Sequence, residues 1–220
     1  MRHAVLYGLT CVVVIGAEAL IVFNWHTNIY IAVSVASVVL EPFFVAIVNA
    51  FTYADVRGDL SAGATWLRVL ERSWAVLIIG LVVQVITAIG FQSISAGDIF
   101  DKLLGAGVII VAVSLVFADV HATVVDDAEP WWFLVPRSLG ASMAVAWQGV
   151  AFARALVAFM LVALLPTLLT IVVQNELQTR HVPAAPFWAN AVSVLLLLPL
   201  VQAFCSLVYL DAIGYEPKRS

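Results

Sequence analysis

The chain has 220 residues, of which 64% are hydrophobic and 11% charged, with a formal net charge of −4. A soluble domain carries about 25% charged residues, so this composition excludes a soluble globular protein and indicates a polytopic membrane protein. The small net charge excludes the basic footprint that nucleic-acid binding needs, and the length suits a single domain, residues 1–220, of about six spans.

The first apolar run, about Ala4 to Phe23, is predicted to be span 1. Arg2 and the small-x-small triplet Ala17-Glu18-Ala19 have the outline of a signal peptide. The apolar run nevertheless continues through Leu20-Ile21-Val22-Phe23, which favours a span that stays in the bilayer. Trp25 and Tyr30 bracket a short polar break as interfacial aromatics do, and span 2 runs from about Ile29 to Tyr53. The polar segment from Asp55 to Ser73 contains Trp66, Leu67, Val69 and Leu70, continued by Trp74 just beyond it, near helical spacing and interleaved with Arg68, Glu71 and Arg72. That pattern predicts an interfacial amphipathic helix, capped by Ser61 or Thr65, leading into span 3 at about Trp74 to Gly90.

Span 4 covers about Leu103 to Phe117. After Asp126-Asp127-Ala128-Glu129-Pro130, the run Trp131-Trp132-Phe133-Leu134 predicts a second interfacial element. Span 5 is expected from near Ala141 to near Val173 as a long tilted helix, and span 6 from about Phe187 to Leu210. Cys11 and Cys205 both fall inside spans, which argues against a disulfide framework.

Three spans close on the same phrase, aromatic-x-Asp: Tyr53-Ala54-Asp55, Phe117-Ala118-Asp119 and Tyr209-Leu210-Asp211. An aromatic ring at headgroup level followed by an acid marks a water boundary, so these are read as equivalent ends on one membrane face. Placing both termini in the cytoplasm puts Arg2, Arg57, Arg68, Arg72, Arg137, Lys218 and Arg219 inside. Only Lys102 and Arg180 then lie outside, with Arg154 inside a span, and this Lys/Arg bias sets the expected orientation. A weak internal repeat relates 29–90 to 103–173: a span ending in aromatic-x-Asp, an elbow ending in Arg-Ser, and a returning span. Both copies run in the same direction, unlike the inverted repeats of many transporters.

The elbow Gly63-Ala64-Thr65-Trp66-Leu67-Arg68-Val69-Leu70-Glu71-Arg72-Ser73-Trp74 resembles those of a family of bacterial membrane domains. So do Val125 to Pro130 leading to Pro136-Arg137-Ser138, and the closing Val208-Tyr209-Leu210-Asp211. The family includes the membrane domain fused to some glycerophosphodiester phosphodiesterases and stand-alone relatives of unknown function. The resemblance covers roughly Asp55 to Asp211. It implies six helices in a bacterial inner membrane, near phospholipid metabolism or envelope upkeep, and supplies no catalytic residues. The chain is expected to depart from the pattern, since these 220 residues show neither the amphipathic lead-in helix nor the phosphodiesterase domain.

Ionisable groups inside spans are costly and often functional. Glu41 precedes Pro42 in span 2, Arg154 lies in span 5, and Glu18 lies in the outer half of span 1. With these span limits Glu41 and Arg154 each sit about 18–20 Å from a membrane face. An interior Glu41–Arg154 pair, with Glu18 as a second partner, is therefore a candidate. Two roles fit it: an ion pair that fixes helix packing, or a site where the Arg154 fork holds an anionic group. Asp55, Asp119 and Asp211 are expected to pair with Arg72, Arg137 and nearby bases, pinning elbows to spans. Asn49, Gln84, Gln148, Asn190 and Gln202 are predicted interhelical hydrogen bonders, and Gly105 and Gly107 packing sites. Pro42, Pro166 and Pro199 predict kinks, which can open a midplane cavity but are more often found in membrane helices that only pack. His3, His26, His121 and His181 are scattered, and no metal, phosphate-loop or nucleophile motif appears.

The expected fold is therefore an all-α bundle of six transmembrane helices with two interfacial elbow helices. The expected function is a non-enzymatic, lipid-associated or envelope-maintenance membrane protein, without cofactor, whose partners are membrane lipids. A carrier for a small anionic solute using Arg154 and a structural subunit of a larger membrane complex are the alternatives.

Overall fold

A computed structural model describes residues 4–24, 28–58, 60–95, 98–125 and 130–215. Arg2, His3, Trp25, His26, the run Asp126-Asp127-Ala128-Glu129 and Lys218-Arg219 lie outside these residues. The described chain is all helical: α1 (Ala4–Asn24), α2 (Ile29–Arg57), α3 (Ala62–Ser95), α4 (Ile99–Ser114), α5 (Ala118–Val124), α6 (Trp131–Ala146), α7 (Ala151–Phe159), α8 (Leu165–Thr179), α9 (Ala185–Leu196) and α10 (Leu198–Ala212). A π-helical turn, Met160–Leu164, joins α7 to α8.

Five stretches are long and apolar enough to cross a bilayer: Ile31–Arg57, Ala62–Ser95, Ile99–Val124, Ala151–Thr179 and Ala185–Ala212. Helix α1 is a further apolar helix of 21 residues. The protein is thus a multi-pass helical membrane protein. Helix α2 is its centre, packed against α1, α3, α5, α9 and α10. Small residues permit this: Ala46, Ala50 and Ala54 recur every fourth position and are buried, as are Ala32 and Ala36 nearer the start of the helix. Such small-xxx-small faces let backbones approach where no hydrophobic effect drives helices together.

The elbows differ from expectation. Residues Ala62 to Ser95 form one continuous helix, so the first elbow is the opening turns of α3 itself. Its tryptophans face outward. Trp66, Leu67, Leu70 and Trp74 are exposed, while Thr65, Val69, Arg72 and Ser73 are buried. Helix α6 repeats the inversion, with Trp132 and Phe133 outside and Leu134, Ser138, Ser142 and Val145 inside. Apolar groups outward and hydroxyls inward is the arrangement hydrocarbon rewards, because lipid competes for apolar contact but not for hydrogen bonds.

The second elbow is separate from its span. Helix α6 ends at Ala146, and Gly149 takes a left-handed φ of 53° before α7 starts at Ala151. The expected single helix from Ala141 is therefore two helices, because Gly149 adopts without steric cost a conformation that a Cβ disfavours.

Span 4 is also interrupted, at Leu115–Phe117. Ser142 of α6 stitches the break: its Oγ donates to the Ser114 carbonyl at 2.8 Å and accepts from the Phe117 N–H at 3.1 Å. Arg68 closes the far end of α5, donating to the Thr123 and Val125 carbonyls at 3.1 Å each while its guanidinium lies over the Tyr53 ring. Backbone groups freed inside a bilayer need such substitutes.

Packing is uneven along the bundle. The two larger buried clusters draw mainly on the second half of α2, the first half of α3, the end of α4, α5, α6, α7 and α10. This is the end where the aromatic-x-Asp phrases lie. Toward the opposite end the helices splay: α8 has no buried residue among those described, and α3 and α8 hardly touch.

Candidate functional site

The splaying leaves a cavity of about 850 Å³ at the centre of the molecule. Its wall is mostly Val, Ile, Leu and Ala from α2, α3, α8 and α9, with Phe91 and Phe159. Three helix irregularities border it: Pro42 in α2, the π-helical turn followed by Pro166, and the α9–α10 junction at Leu198. Each breaks the regular ladder that would otherwise let the helices close. The side between α3 and α8 is open, because Gln84, Ala88 and Phe91 on one rim and Thr167 and Ile171 on the other are all exposed.

Polar groups reach the cavity in two clusters. In the first, Glu18 of α1 is buried, and its Oε1 accepts from Asn190 Nδ2 of α9 at 2.8 Å and from Ser37 Oγ of α2 at 3.2 Å. Asn190 Nδ2 also lies 3.0 Å from Ser37 Oγ. Glu41, one turn beyond Ser37, faces the same two side chains and is close enough to Glu18 for the carboxyls to interact. Glu41 and Asn190 line the cavity.

The second cluster lies deeper. Asn49 of α2 is fully buried; its Nδ2 donates to Asp119 Oδ2 at 3.3 Å and its Oδ1 accepts from Ser206 Oγ at 2.9 Å. The Val120 N–H holds the other Asp119 oxygen at 2.8 Å. Beside it, His121 Nδ1 and the Tyr209 hydroxyl share a hydrogen bond of 2.5 Å. Asp119 lines the cavity floor together with Gln202, which is 4% exposed and whose Oε1 has no hydrogen-bond partner.

The sequence-predicted residues are redistributed accordingly. Glu18 and Glu41 do come together, but Arg154 is elsewhere: it stands three residues into α7 and pairs with Asp211 of α10, not with Glu41. The correction follows from the Gly149 break, which moves the start of the span and leaves Arg154 about 5 Å from its helix end. Both partners are exposed, at 49% and 69%, and neither lines the cavity. Asp211 thus pairs with a base, but one from its neighbouring span. Asp119 is held by an amide and a backbone N–H. Asp55 is half-buried at the end of α2, Arg72 is buried in α3, and Arg137 is exposed on α6.

Gly105 is a packing site: a Cβ there would meet the Gly90 carbonyl oxygen at 2.7 Å and the Ile94 nitrogen at 2.8 Å. Gly107 has nothing within 4 Å. Ser37, Ser142 and Ser206 were not singled out by the sequence, since a lone serine in an apolar run carries no signal of its depth or partner. Cys11 and Cys205 are buried free thiols. Among the described residues no three His, Cys, Asp or Glu side chains are placed to hold a metal ion. Comparison with family models, with curated proteins and with solved structures finds no match to this chain.

Proposed function

We propose that this protein is a non-enzymatic, lipid-associated component of a bacterial cytoplasmic membrane that keeps a lipid or similar amphiphile in the cavity between α3 and α8. The observation that carries this reading is the lateral opening. A cavity of about 850 Å³ is near the upper end of the roughly 300–1,000 Å³ usual for ligand pockets. It opens toward hydrocarbon and ends on carboxyls and amides, which suits a molecule with an apolar tail and a polar head.

The reading includes six spans with α1 as the first and both termini in the cytoplasm. Arg57, Arg68, Arg72, Arg137 and Arg154 belong to the closely packed end, whereas Lys102 and Arg180 belong to the splayed end, as an inside-positive orientation requires. An anion carrier centred on Arg154 draws no support from the cavity, whose lining among the described residues includes neither Arg154 nor any other Lys, Arg or His.

The test is lipid mass spectrometry on detergent-purified protein, wild type beside Thr170→Trp, which places an indole on the cavity wall. A lipid species enriched in the wild type and lost from Thr170→Trp is the expected result. Identical bulk lipid mixtures on both would refute the reading. Reporter fusions to each terminus test the orientation, with activity expected only from a reporter that needs the cytoplasm.

A further inference from the structure

We propose that the cavity selects an amphiphile with a primary amine head, held between Glu41 and Asp119 against the orphan oxygen of Gln202; this rests on the lipid-holding reading above. Amides and hydroxyls line the cavity as well, but the ionisable groups among the described lining residues are all acids. These are the two carboxyls Glu41 and Asp119, and among the described residues the lining has no Lys, Arg or His. Gln202 adds an independent observation: its side chain is 96% buried and lines the cavity, yet its Oε1 has no partner. An acceptor left bare at membrane depth is costly, and a ligand that donates hydrogen bonds removes that cost.

The three groups are stacked along the cavity. Glu41 and Asn49 are eight residues apart on α2, about 12 Å along the axis, and Asn49 sets the level of Asp119 through its hydrogen bond. Ser206 bonds to the same Asn49, and Gln202 stands one turn before it, about 6 Å nearer to Glu41. An ammonium group beside Gln202 Oε1 therefore lies between two carboxyls. Its N–H groups donate to Gln202 Oε1, while the two carboxyls, each about 6 Å along the axis from that level, attract its charge.

Other ligands fit less well. A carboxylate or phosphate head would meet like charge, and no base among the described lining residues offsets it. A hydrocarbon tail alone would leave Gln202 Oε1 facing apolar atoms. A bare metal ion would lack a cage, since no three ligating side chains converge among the described residues. The wall of Val, Ile, Leu and Phe and the gap between α3 and α8 require a long apolar tail on the amine.

The test uses the full chain in nanodiscs of phosphatidylcholine, loaded with hexadecylamine or hexadecanoate, re-isolated and analysed by mass spectrometry. Wild type is expected to retain hexadecylamine above empty discs and not hexadecanoate. Gln202→Leu, through the lost charge-assisted hydrogen bond, and Glu41→Gln, through the lost attracting charge, should each weaken retention by about tenfold or more. Gln202→Glu should retain the amine at least as well as wild type, which separates loss of an acceptor from loss of fold. Thr170→Trp should abolish retention.

Retention of hexadecanoate equal to that of the amine, sensitive to Thr170→Trp, would overturn the amine selectivity and leave the lipid-holding reading standing. Retention of neither probe, with no co-purifying lipid, would remove both. A primary amine on a long tail can arrive as a lipid headgroup or as a free long-chain amine. Discs doped with phosphatidylethanolamine separate these: displacement of hexadecylamine identifies the lipid headgroup, and undiminished retention identifies the free amine.

Discussion

Asn49 is the residue whose loss the packing should feel most clearly. Its amide ties α2 to α5 through Asp119 Oδ2 and α2 to α10 through Ser206 Oγ, at 3.3 and 2.9 Å, with the side chain fully buried. Leucine has the same branched outline and number of side-chain heavy atoms, so Asn49→Leu removes the two bonds while leaving no void in the packing. Each interhelical hydrogen bond in a membrane protein is worth about 0.6 kcal/mol on average and about 1.7 at most. The substitution also leaves the Ser206 hydroxyl without its acceptor and Asp119 Oδ2 without its donor, at about 1–3 kcal/mol for a buried polar group. The expected destabilisation is about 2–4 kcal/mol.

Reversible unfolding in mixed micelles of a mild detergent and dodecyl sulfate, followed by circular dichroism, measures it. Ser206→Ala should cost about 1 kcal/mol, and the double variant should cost less than the two together because they share one bond. A loss of under about 0.5 kcal/mol for Asn49→Leu, the range of an ordinary surface change, would refute the hub. Strict additivity with Ser206→Ala would refute the bond between them.

The Arg154–Asp211 pair is exposed, so Arg154→Ala and Asp211→Asn should each shift stability by no more than about 1 kcal/mol. In the same assay Glu41→Gln and Arg154→Leu should add within about 0.3–0.5 kcal/mol, and a double variant that regains stability would place the two residues in contact. Gly105→Ala forces α3 and α4 apart and should cost about 1–3 kcal/mol, whereas Gly107→Ala, with open space around it, should leave a thermal melt within error of the wild type. Arg68→Ala should cost about 1.5–3 kcal/mol by uncapping α5. Arg68→Lys should recover only part of that, since an ammonium lacks the fork that spans two carbonyls.

Much of the architecture is legible in the residues taken alone. Runs of about 20 apolar positions name the spans, because only a hydrocarbon solvent accommodates so many without charge. The aromatic-x-Asp phrases and the Arg bias name one end of the bundle, since those side chains partition by depth and by charge. The polar side chains of the two clusters stand out for the same reason: Glu18, Glu41, Asn49, Asn190 and Gln202 are conspicuous in apolar surroundings.

Which of them meet is a different matter, and there the tertiary structure decided. Depth counted from span limits put Arg154 level with Glu41, but a single left-handed glycine, Gly149, restarts the helix and carries Arg154 to Asp211. One-dimensional depth says nothing about which helix face a side chain occupies or which helices are neighbours. Prolines mark where helices can kink, but the cavity depends on α8 standing away from α3, a relation between helices separated by about 70 residues of chain. Composition determines that this chain lives in a bilayer, because solvation is a sum over residues. The site is determined by geometry, because hydrogen bonds and packing act between particular atoms only when the fold has brought them within reach.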